Sequence, residues 1–154
     1  MRYKLKREQI LKIDLETAWK FFSSPYNLSE ITPNNMKFKV LTRELEEEIY
    51  EGMVIEYIVS PILNVPLKWR TLITQVDQFK SFTDEQERGP YRYWNHYHEF
   101  IPHQDGVLMK DTVTYKLPFG MIGNIAHSLL VKHKLEGIFD YRKEILNKLF
   151  NKKS

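Results

Sequence analysis

Consecutive strand-like runs joined by short connections occupy the middle of the chain, from Met36 to Leu117. In order they are MKFKVLTREL, GMVIEYIVS, LKWRTLITQVDQF, SFTDEQER, YRYWNHYHEF and VLMKDTVTYKL, all rich in β-branched and aromatic residues. Turn signals separate them at Glu51-Gly52, Pro61–Pro66, Gly89-Pro90 and Gln104-Asp105-Gly106. Strands connected this tightly pair with their sequence neighbours in antiparallel order, so the sequence predicts a meander of six strands.

Helical patterns flank this region. Residues 3–13 alternate roughly and predict a strand, after which Asp14 can cap a short helix, LETAWKFFSS, that ends at Pro25. NLSEI predicts a further helical turn. After Pro118 the apolar residues recur with the period of an α-helix, which predicts one long helix from about Ile122 to Phe150. Its predicted apolar side is Ile122, Ile125, Leu129, Leu135, Ile138, Tyr141, Ile145 and Leu149, with Lys132, Arg142, Lys143 and Lys148 largely elsewhere and Gly137 a candidate for a bend.

The order of elements predicts an α+β fold: a seven-stranded curved antiparallel sheet, two short helices between strands 1 and 2, and a long C-terminal helix across one face. Residues 1–154 have the length of a single domain. Because a strongly twisted sheet does not lie flat against one helix, the pair can enclose a space.

Composition excludes several classes of protein. The chain has no cysteine, so disulfides and thiolate chemistry are excluded. Its N-terminus is charged throughout and no run of about 18 apolar residues occurs, so we expect a cytoplasmic protein. The net charge is +3, and residues 117–154 contain seven Lys/Arg against three Asp/Glu. This excess indicates either a solvated helix face with a basic tail or a patch for nucleic acid or anionic lipid.

Polar residues occupy the predicted inner face of the last three strands. Side chains two apart share a face of a strand. The shared sets are Phe82, Asp84 and Gln86; Trp94, His96, His98 and Phe100; and Met109, Asp111, Val113 and Tyr115. The tryptophan and phenylalanine residues of these sets indicate that the sets face inward. The other face of the last strand carries lysines and threonines, so that face is predicted to be exposed to solvent and Asp111 to point inward.

Turn positions predict how these strands pair. A turn around residues 89–91 sets Gln86 against Trp94, Asp84 against His96 and Phe82 against His98. A turn around residues 103–106 sets Phe100 against Met109, His98 against Asp111 and Trp94 against Tyr115. Two carboxylate–imidazole pairs result, Asp84–His96 and Asp111–His98. A slip of one residue would turn every side chain to the other face, so this agreement supports the assignment.

The inward polar set has three interpretations. It can be a structural network that fixes strand register, a polar lining of a ligand cavity, or a catalytic or metal site. A metal would use His96 and His98 with Asp84 or Asp111, but the spacing is not specific.

Tyr57 and Trp69 are predicted to face the same interior, whereas His127 and His133 are predicted to be surface or packing residues. KLPFGMIG, residues 116–123, is apolar for a connection and either packs under the helix or forms a cavity lip or membrane-touching edge.

The chain resembles the SRPBCC superfamily, the helix-grip fold of START lipid-transfer domains, birch-pollen-allergen-like proteins and polyketide cyclase/dehydratase-like proteins. FTDEQERGPYRYWNHYHEF and the later DTVTYKLPFG carry the resemblance, with IFDYRKEIL similar to the end of the long helix. The matching positions are Asp84, Gln86, Gly89, Pro90, Trp94, His96, His98, Phe100, Asp111 and Tyr115. The resemblance implies a deep, mostly hydrophobic pocket between sheet and helix, but no particular reaction.

These observations predict a protein that binds a small hydrophobic ligand, such as a lipid, a quinone or a polyketide-like molecule. The predicted ligand-binding residues are Tyr57, Trp69, Asp84, Gln86, Trp94, His96, His98, Asp111 and Tyr115. We expect no cofactor, no metal and no nucleic acid, and a transient membrane contact is left open as an alternative. One alternative is a cyclase- or dehydratase-type enzyme that uses a His–Asp pair as a proton shuttle. Another is an adaptor that binds a macromolecule through its basic last helix.

Overall fold

One antiparallel sheet wraps the C-terminal helix in the computed structural model, which describes residues 1–61 and 64–152. The strands are β1 (Tyr3–Leu11), β2 (Lys39–Val40), β3 (Val54–Val59), β4 (Leu67–Asp77), β5 (Ser81–Arg88), β6 (Tyr93–His103) and β7 (Gly106–Lys116). Their order across the sheet is β1-β7-β6-β5-β4-β3-β2, so β1 closes against the last strand and all other neighbours are consecutive. The predicted α+β architecture with a meander is therefore confirmed.

Helices lie before and after the meander. Helix α1 (Leu15–Phe22) is followed by two short 3₁₀ helices, Pro25–Ile31 and Asn34–Met36. Asp14 caps α1 as predicted, because its Oδ1 accepts a hydrogen bond of 2.7 Å from the Thr17 amide. Among the described helices, none is both long enough and apolar enough to cross a membrane.

The C-terminal helix has three contiguous parts. Helix α2 (Gly120–Ala126) passes through a π-helical turn (His127–Val131) into α3 (Lys132–Phe150). The change in helical geometry therefore falls at the π-helical turn, whereas α3 runs through Gly137 without interruption.

The first predicted strand of the meander, residues 36–45, is mostly wrong. Only Lys39–Val40 pairs with β3, and the chain then leaves the sheet. The amides of Leu41 and Thr42 both donate to the carbonyl of Glu56, so a regular ladder cannot continue. The result is a very short edge strand, which exposes few unpaired backbone groups. Part of the predicted turn at 61–66, namely Ile62 and Leu63, lies outside the described residues.

Two groups of buried apolar residues form the core. One surrounds Trp19, Phe82, Phe100 and Leu146. The other contains Trp69, Trp94, Val113, Tyr115, Leu135 and Phe139. Ring contacts of His96 and His98 with both groups place a polar cluster at the junction.

Gly106, at the turn between β6 and β7, is required by its backbone geometry. Its φ is +135°, and a Cβ there would lie 2.1 Å from the Leu11 carbonyl oxygen. We expect Gly106→Ala to lower the free energy of unfolding by more than about 1 kcal/mol, measured by urea denaturation. The matched control is Gly137→Ala in α3, where a Cβ meets nothing within 4 Å, and which should raise stability by up to about 1 kcal/mol. Equal changes in the free energy of unfolding for the two substitutions would contradict this expectation.

Candidate functional site

A cavity of about 370 Å³ lies between the inner face of the sheet and the C-terminal helix. Aromatic and aliphatic side chains form most of its wall, including Tyr57, Trp69, Trp94, Leu135 and Phe139. Its volume falls at the lower end of the range for small-molecule sites. Two carboxylates and two imidazoles of the wall lie together on β5, β6 and β7, and Arg142 of α3 also lines the cavity.

Strand pairing at this place follows the predicted register. Asp84 lies opposite His96 and Phe82 opposite His98 in the β5–β6 pair. His98 lies opposite Asp111 in the β6–β7 pair. Asp84, His96, His98 and Asp111 all line the cavity, so one small region of the sheet brings two carboxylates and two imidazoles together.

The shortest hydrogen bonds in this cluster do not join the residues that are directly opposite. His96 Nε2 lies 2.7 Å from Asp111 Oδ1, and His98 Nε2 lies 2.6 Å from Asp84 Oδ2. The predicted pairs are longer: 3.8 Å from His96 Nδ1 to Asp84 Oδ2, and 3.3 Å from His98 Nδ1 to Asp111 Oδ1. Each imidazole therefore lies between both carboxylates.

Ring stacking holds the two histidines in place. Their ring centroids are 3.7 Å apart, and Phe82 stacks on the other side of His98 at 4.0 Å. Phe139 of α3 meets His96 edge-on at 5.7 Å. The imidazoles can thus change protonation without freedom to rotate away from the carboxylates.

Burial and hydrogen bonding set the protonation of the carboxylates. Burial alone would raise the pKa of Asp84 and of Asp111, but hydrogen bonds from the histidines and their charge outweigh it, so both pKa values fall below the ordinary range. Both groups are therefore ionised at neutral pH and can only accept hydrogen bonds, which places a proton on each histidine Nε2. Their contribution to stability is present above their ordinary pKa of about 3.9 and is lost as the pH falls through the lowered values.

The two imidazoles have opposite shifts. Burial lowers the pKa of His96, and the neighbouring His98 lowers it further, so His96 is neutral at pH 7. Burial would also lower the pKa of His98, but hydrogen bonds to Asp111 and Asp84 and their charges raise it overall. A proton added to this cluster is therefore held by His98.

Arg142 is a site residue that the sequence reasoning placed incorrectly. The buried positions of α3 are Leu135, Phe139 and Leu146. Arg142 lies between Phe139 and Leu146 at helical spacing, on the same side of the helix. Its guanidinium carbon lies 4.8 Å from the centre of the Phe139 ring. Burial lowers the Arg142 pKa, against the opposing charges of Asp111 and Asp84. The observed inner side of α3 is therefore rotated by about one residue from the predicted apolar side, which leaves out both Phe139 and Arg142.

The remaining predicted site residues divide into two groups. Tyr57, Trp69 and Trp94 line the cavity, and the Tyr57 hydroxyl lies 3.1 Å from Thr71 Oγ1. Gln86 and Tyr115 are not among the lining residues. The predicted contact of Gln86 with Trp94 is absent from the β5–β6 ladder, which ends at Glu85 and Asn95. The Gln86 side chain instead bonds the backbone of Tyr91 through both its amide nitrogen and its oxygen.

Tyr115 belongs to a neighbouring packed group. Its hydroxyl lies 2.6 Å from His127 Nε2, and the Tyr3 ring stacks on His127 with a centroid distance of 3.4 Å. Burial raises the pKa of Tyr115 to about 12. His127 is therefore a packing residue of the C-terminal helix and not a surface residue, which agrees with one of the two predicted possibilities.

Asp84, His96 and His98 each offer one potential metal-ligand atom, and these atoms lie within 4.8 Å of one another. Two features argue against a metal as the resident group. The Nε2 atoms of both histidines already donate to carboxylates, and the charge of Arg142 acts on the same carboxylates. A cation bound through the Nε2 atoms would have to displace both hydrogen bonds, so the donor set as it stands forms a proton-sharing cluster.

The chain is a helix-grip protein with an open, largely apolar cavity under its last helix. No protein-family model matches the sequence, and no curated protein matches it. Solved structures do match. A protein of Chromobacterium violaceum is 10% identical with a TM-score of 0.72, over 97% of this chain and 99% of that chain.

Two further structures show the same likeness. Major latex-like protein 151 from Panax ginseng is 15% identical with a TM-score of 0.69, over 97% of both chains. A protein of Thermus thermophilus is 14% identical with a TM-score of 0.64, over 97% of this chain and 99% of that chain. At this level of identity the likeness shows the fold, and it confirms the helix-grip fold that the resemblance to the SRPBCC superfamily implies.

The raised pKa of His98 makes its contribution to stability dependent on pH. Protonated His98 stabilises the fold fully below its ordinary pKa of about 6.5, and this contribution is lost as the pH rises through the raised folded value. We expect His98→Gln to lower the free energy of unfolding more in mildly acidic than in alkaline solution, measured by urea denaturation across pH. The exposed His133 supplies the control, His133→Gln. A loss that grows with rising pH would contradict the assignment.

Proposed function

We propose that this protein binds a small amphiphilic molecule in the cavity between the sheet and the C-terminal helix. The observation that carries the proposal is the cavity itself, about 370 Å³ with a mostly apolar wall and one polar region where Asp84, His98 and Arg142 meet. The ligand's apolar body lies along the aromatic wall, and its polar group points to this region. A lipid, a quinone and a polyketide-like molecule all have such a form.

The apolar body accounts for most of the binding free energy. Each CH₂ group removed from water contributes about 0.8 kcal/mol, and the aromatic rings of Trp69, Trp94 and Phe139 provide a large contact surface.

Donors without partners favour a ligand that carries an acceptor oxygen. Trp69 Nε1 and Arg142 Nε are buried and have no hydrogen-bond partner among the described residues. A buried donor left unsatisfied costs about 1–3 kcal/mol. Both side chains belong to the cavity wall, so a carbonyl, quinone or carboxylate oxygen that reached one of them would recover part of that cost.

The charge of the cluster is balanced without a ligand when His98 is protonated. Asp84 and Asp111 are ionised, while Arg142 and protonated His98 carry two positive charges. The ligand therefore needs no net charge, and a neutral carbonyl compound satisfies the site as well as a carboxylate.

A cyclase- or dehydratase-type enzyme stays the alternative. Two stacked imidazoles with opposite pKa shifts could donate and accept a proton at the cavity wall. Binding requires only the cavity and its donors, and it is therefore the function we propose.

Filling the cavity tests the proposal. Val59 of β3 lines the cavity, whereas Val113 of β7 is fully buried in the core and does not. We expect Val59→Trp to fold with near wild-type stability and to lose binding of an amphiphilic fluorescent probe, such as a parinaric acid, by at least tenfold. Val113→Trp should instead overpack the core and lower stability by about 1–3 kcal/mol.

Native mass spectrometry of the freshly purified protein, followed by organic extraction, would identify a copurified ligand. Val59→Trp protein should lack it. Wild-type probe affinity in Val59→Trp, together with no bound molecule in the wild type, would reject the proposal.

Arg142 provides a test of the polar end. We expect Arg142→Met to weaken binding of a probe that carries a carbonyl or carboxylate oxygen by about tenfold, which corresponds to the loss of about 1.4 kcal/mol. Binding of a hydrocarbon probe of similar size should change little. Lys143→Met, at the exposed neighbouring position of α3, is the matched control and should change neither affinity. Equal losses for both probes would assign Arg142 a purely structural role.

A further inference from the structure

Large apolar side chains are exposed at one edge of the cavity. Phe119, Met121, Ile122 and Leu129 are exposed by 81%, 82%, 74% and 77%. They belong to the link after β7, to α2 and to the π-helical turn, and we call these four residues the apolar lip. A contiguous exposed apolar surface on a water-soluble fold usually marks an interaction site.

The same segment forms part of the cavity wall. Pro118, Gly123, Ala126 and Val131 alternate with the lip residues along the chain and line the cavity. Phe119 belongs to both sets, since it is exposed and also lines the cavity. The lip is therefore continuous with the edge of the cavity, and a surface that covers the lip also lies beside the cavity.

Close backbone packing supports this segment. A Cβ at Gly123 would lie 2.1 Å from the Pro118 carbonyl oxygen, so α2 folds tightly back on the link that precedes it. Phe119 adopts a left-handed backbone conformation with φ of 69° just before α2 begins. The segment thus presents its large side chains from a defined turn of backbone.

Basic residues flank the lip in the sequence, and acidic residues are absent from this segment. No Asp or Glu occurs between Asp111 and Glu136, whereas Lys116, Lys132 and Lys134 fall in that interval. Lys132 and Lys134 are exposed. An apolar surface bordered by lysines complements the interface of a bilayer that contains anionic lipids, where basic residues near the surface add to the affinity that apolar side chains provide.

We propose that the apolar lip docks this protein on an anionic membrane surface, with the edge of the cavity facing the bilayer. The lip side chains enter the headgroup region while Lys132 and Lys134 contact anionic lipids. The role of docking, transfer of an apolar ligand between bilayer and cavity without passage through water, rests on the proposed function. Docking itself rests only on the lip and its lysines.

Vesicle co-sedimentation tests the docking. The protein is mixed with phosphatidylcholine vesicles prepared with and without phosphatidylglycerol, at low and at high salt. We expect binding to the vesicles that contain phosphatidylglycerol, and weaker binding at high salt because screening weakens the lysine contribution. Phosphatidylglycerol-independent binding, or no binding to either vesicle, would overturn the proposal.

Matched substitutions locate the contact. The double variant Ile122→Ser/Leu129→Ser should lower vesicle affinity by at least tenfold, since it removes two apolar side chains from the interface. Leu149→Ser, at an exposed leucine near the end of α3, should leave affinity unchanged. Lys132→Gln/Lys134→Gln should remove most of the dependence on phosphatidylglycerol. Wild-type affinity in the lip variant would overturn the proposal.

Two control measurements distinguish membrane docking from self-association of the chain and from binding in the cavity. Sedimentation velocity shows whether the lip instead joins two copies of the chain; a dimer that dissociates in Ile122→Ser/Leu129→Ser would overturn membrane docking. Probe binding without vesicles should be the same in this variant and the wild type. If the wild type binds vesicles but no probe, the proposed cavity function fails while docking stands. If probe binding persists and vesicle binding is absent, docking fails alone.

Discussion

The hydrogen-bonded cluster of two carboxylates and two imidazoles is the constraint on which the rest of the structure depends. Ionised groups under a sheet are stable only when each is paired, because an isolated buried charge costs several kcal/mol. Here Asp111 bonds His96 at 2.7 Å and Asp84 bonds His98 at 2.6 Å, while aromatic rings hold the imidazoles flat against each other. Strands β5, β6 and β7 therefore cannot change register without leaving charges unpaired.

The cluster also explains why the space under the sheet stays open. A polar group in the middle of the inner face separates the two apolar groups of the core, and α3 meets it with Phe139 and Arg142 instead of a continuous apolar stripe. Helix α3 joins one apolar group through Leu146 and the other through Leu135 and Phe139, and the cavity lies between the helix and the sheet. A structural network and a ligand cavity are thus compatible interpretations of the same residues, since the groups that fix register also supply the polar part of the wall.

Sequence reasoning predicted the strand faces and the pairing of β5, β6 and β7, because alternation and turn position are local properties. It failed for the strand predicted at residues 36–45, where two amides share the Glu56 carbonyl and the ladder stops. It also failed for Gln86, whose side chain bonds the Tyr91 backbone and shortens the β5–β6 ladder. In both places local hydrogen bonds of the folded chain end the ladder, although Gln86 itself stays in β5 and pairs with β4.

The order of the elements, the inward direction of Asp84, His96, His98 and Asp111, and the need of these groups for partners all follow from local patterns in the sequence. Which carboxylate bonds which imidazole becomes clear only in the folded chain, because the bonds run diagonally between strands and depend on the twist of the sheet. It also decided that Arg142 faces the cavity and that about 370 Å³ stays open. These features depend on the rotation and distance of the C-terminal helix, which are set by contacts between residues far apart in the chain.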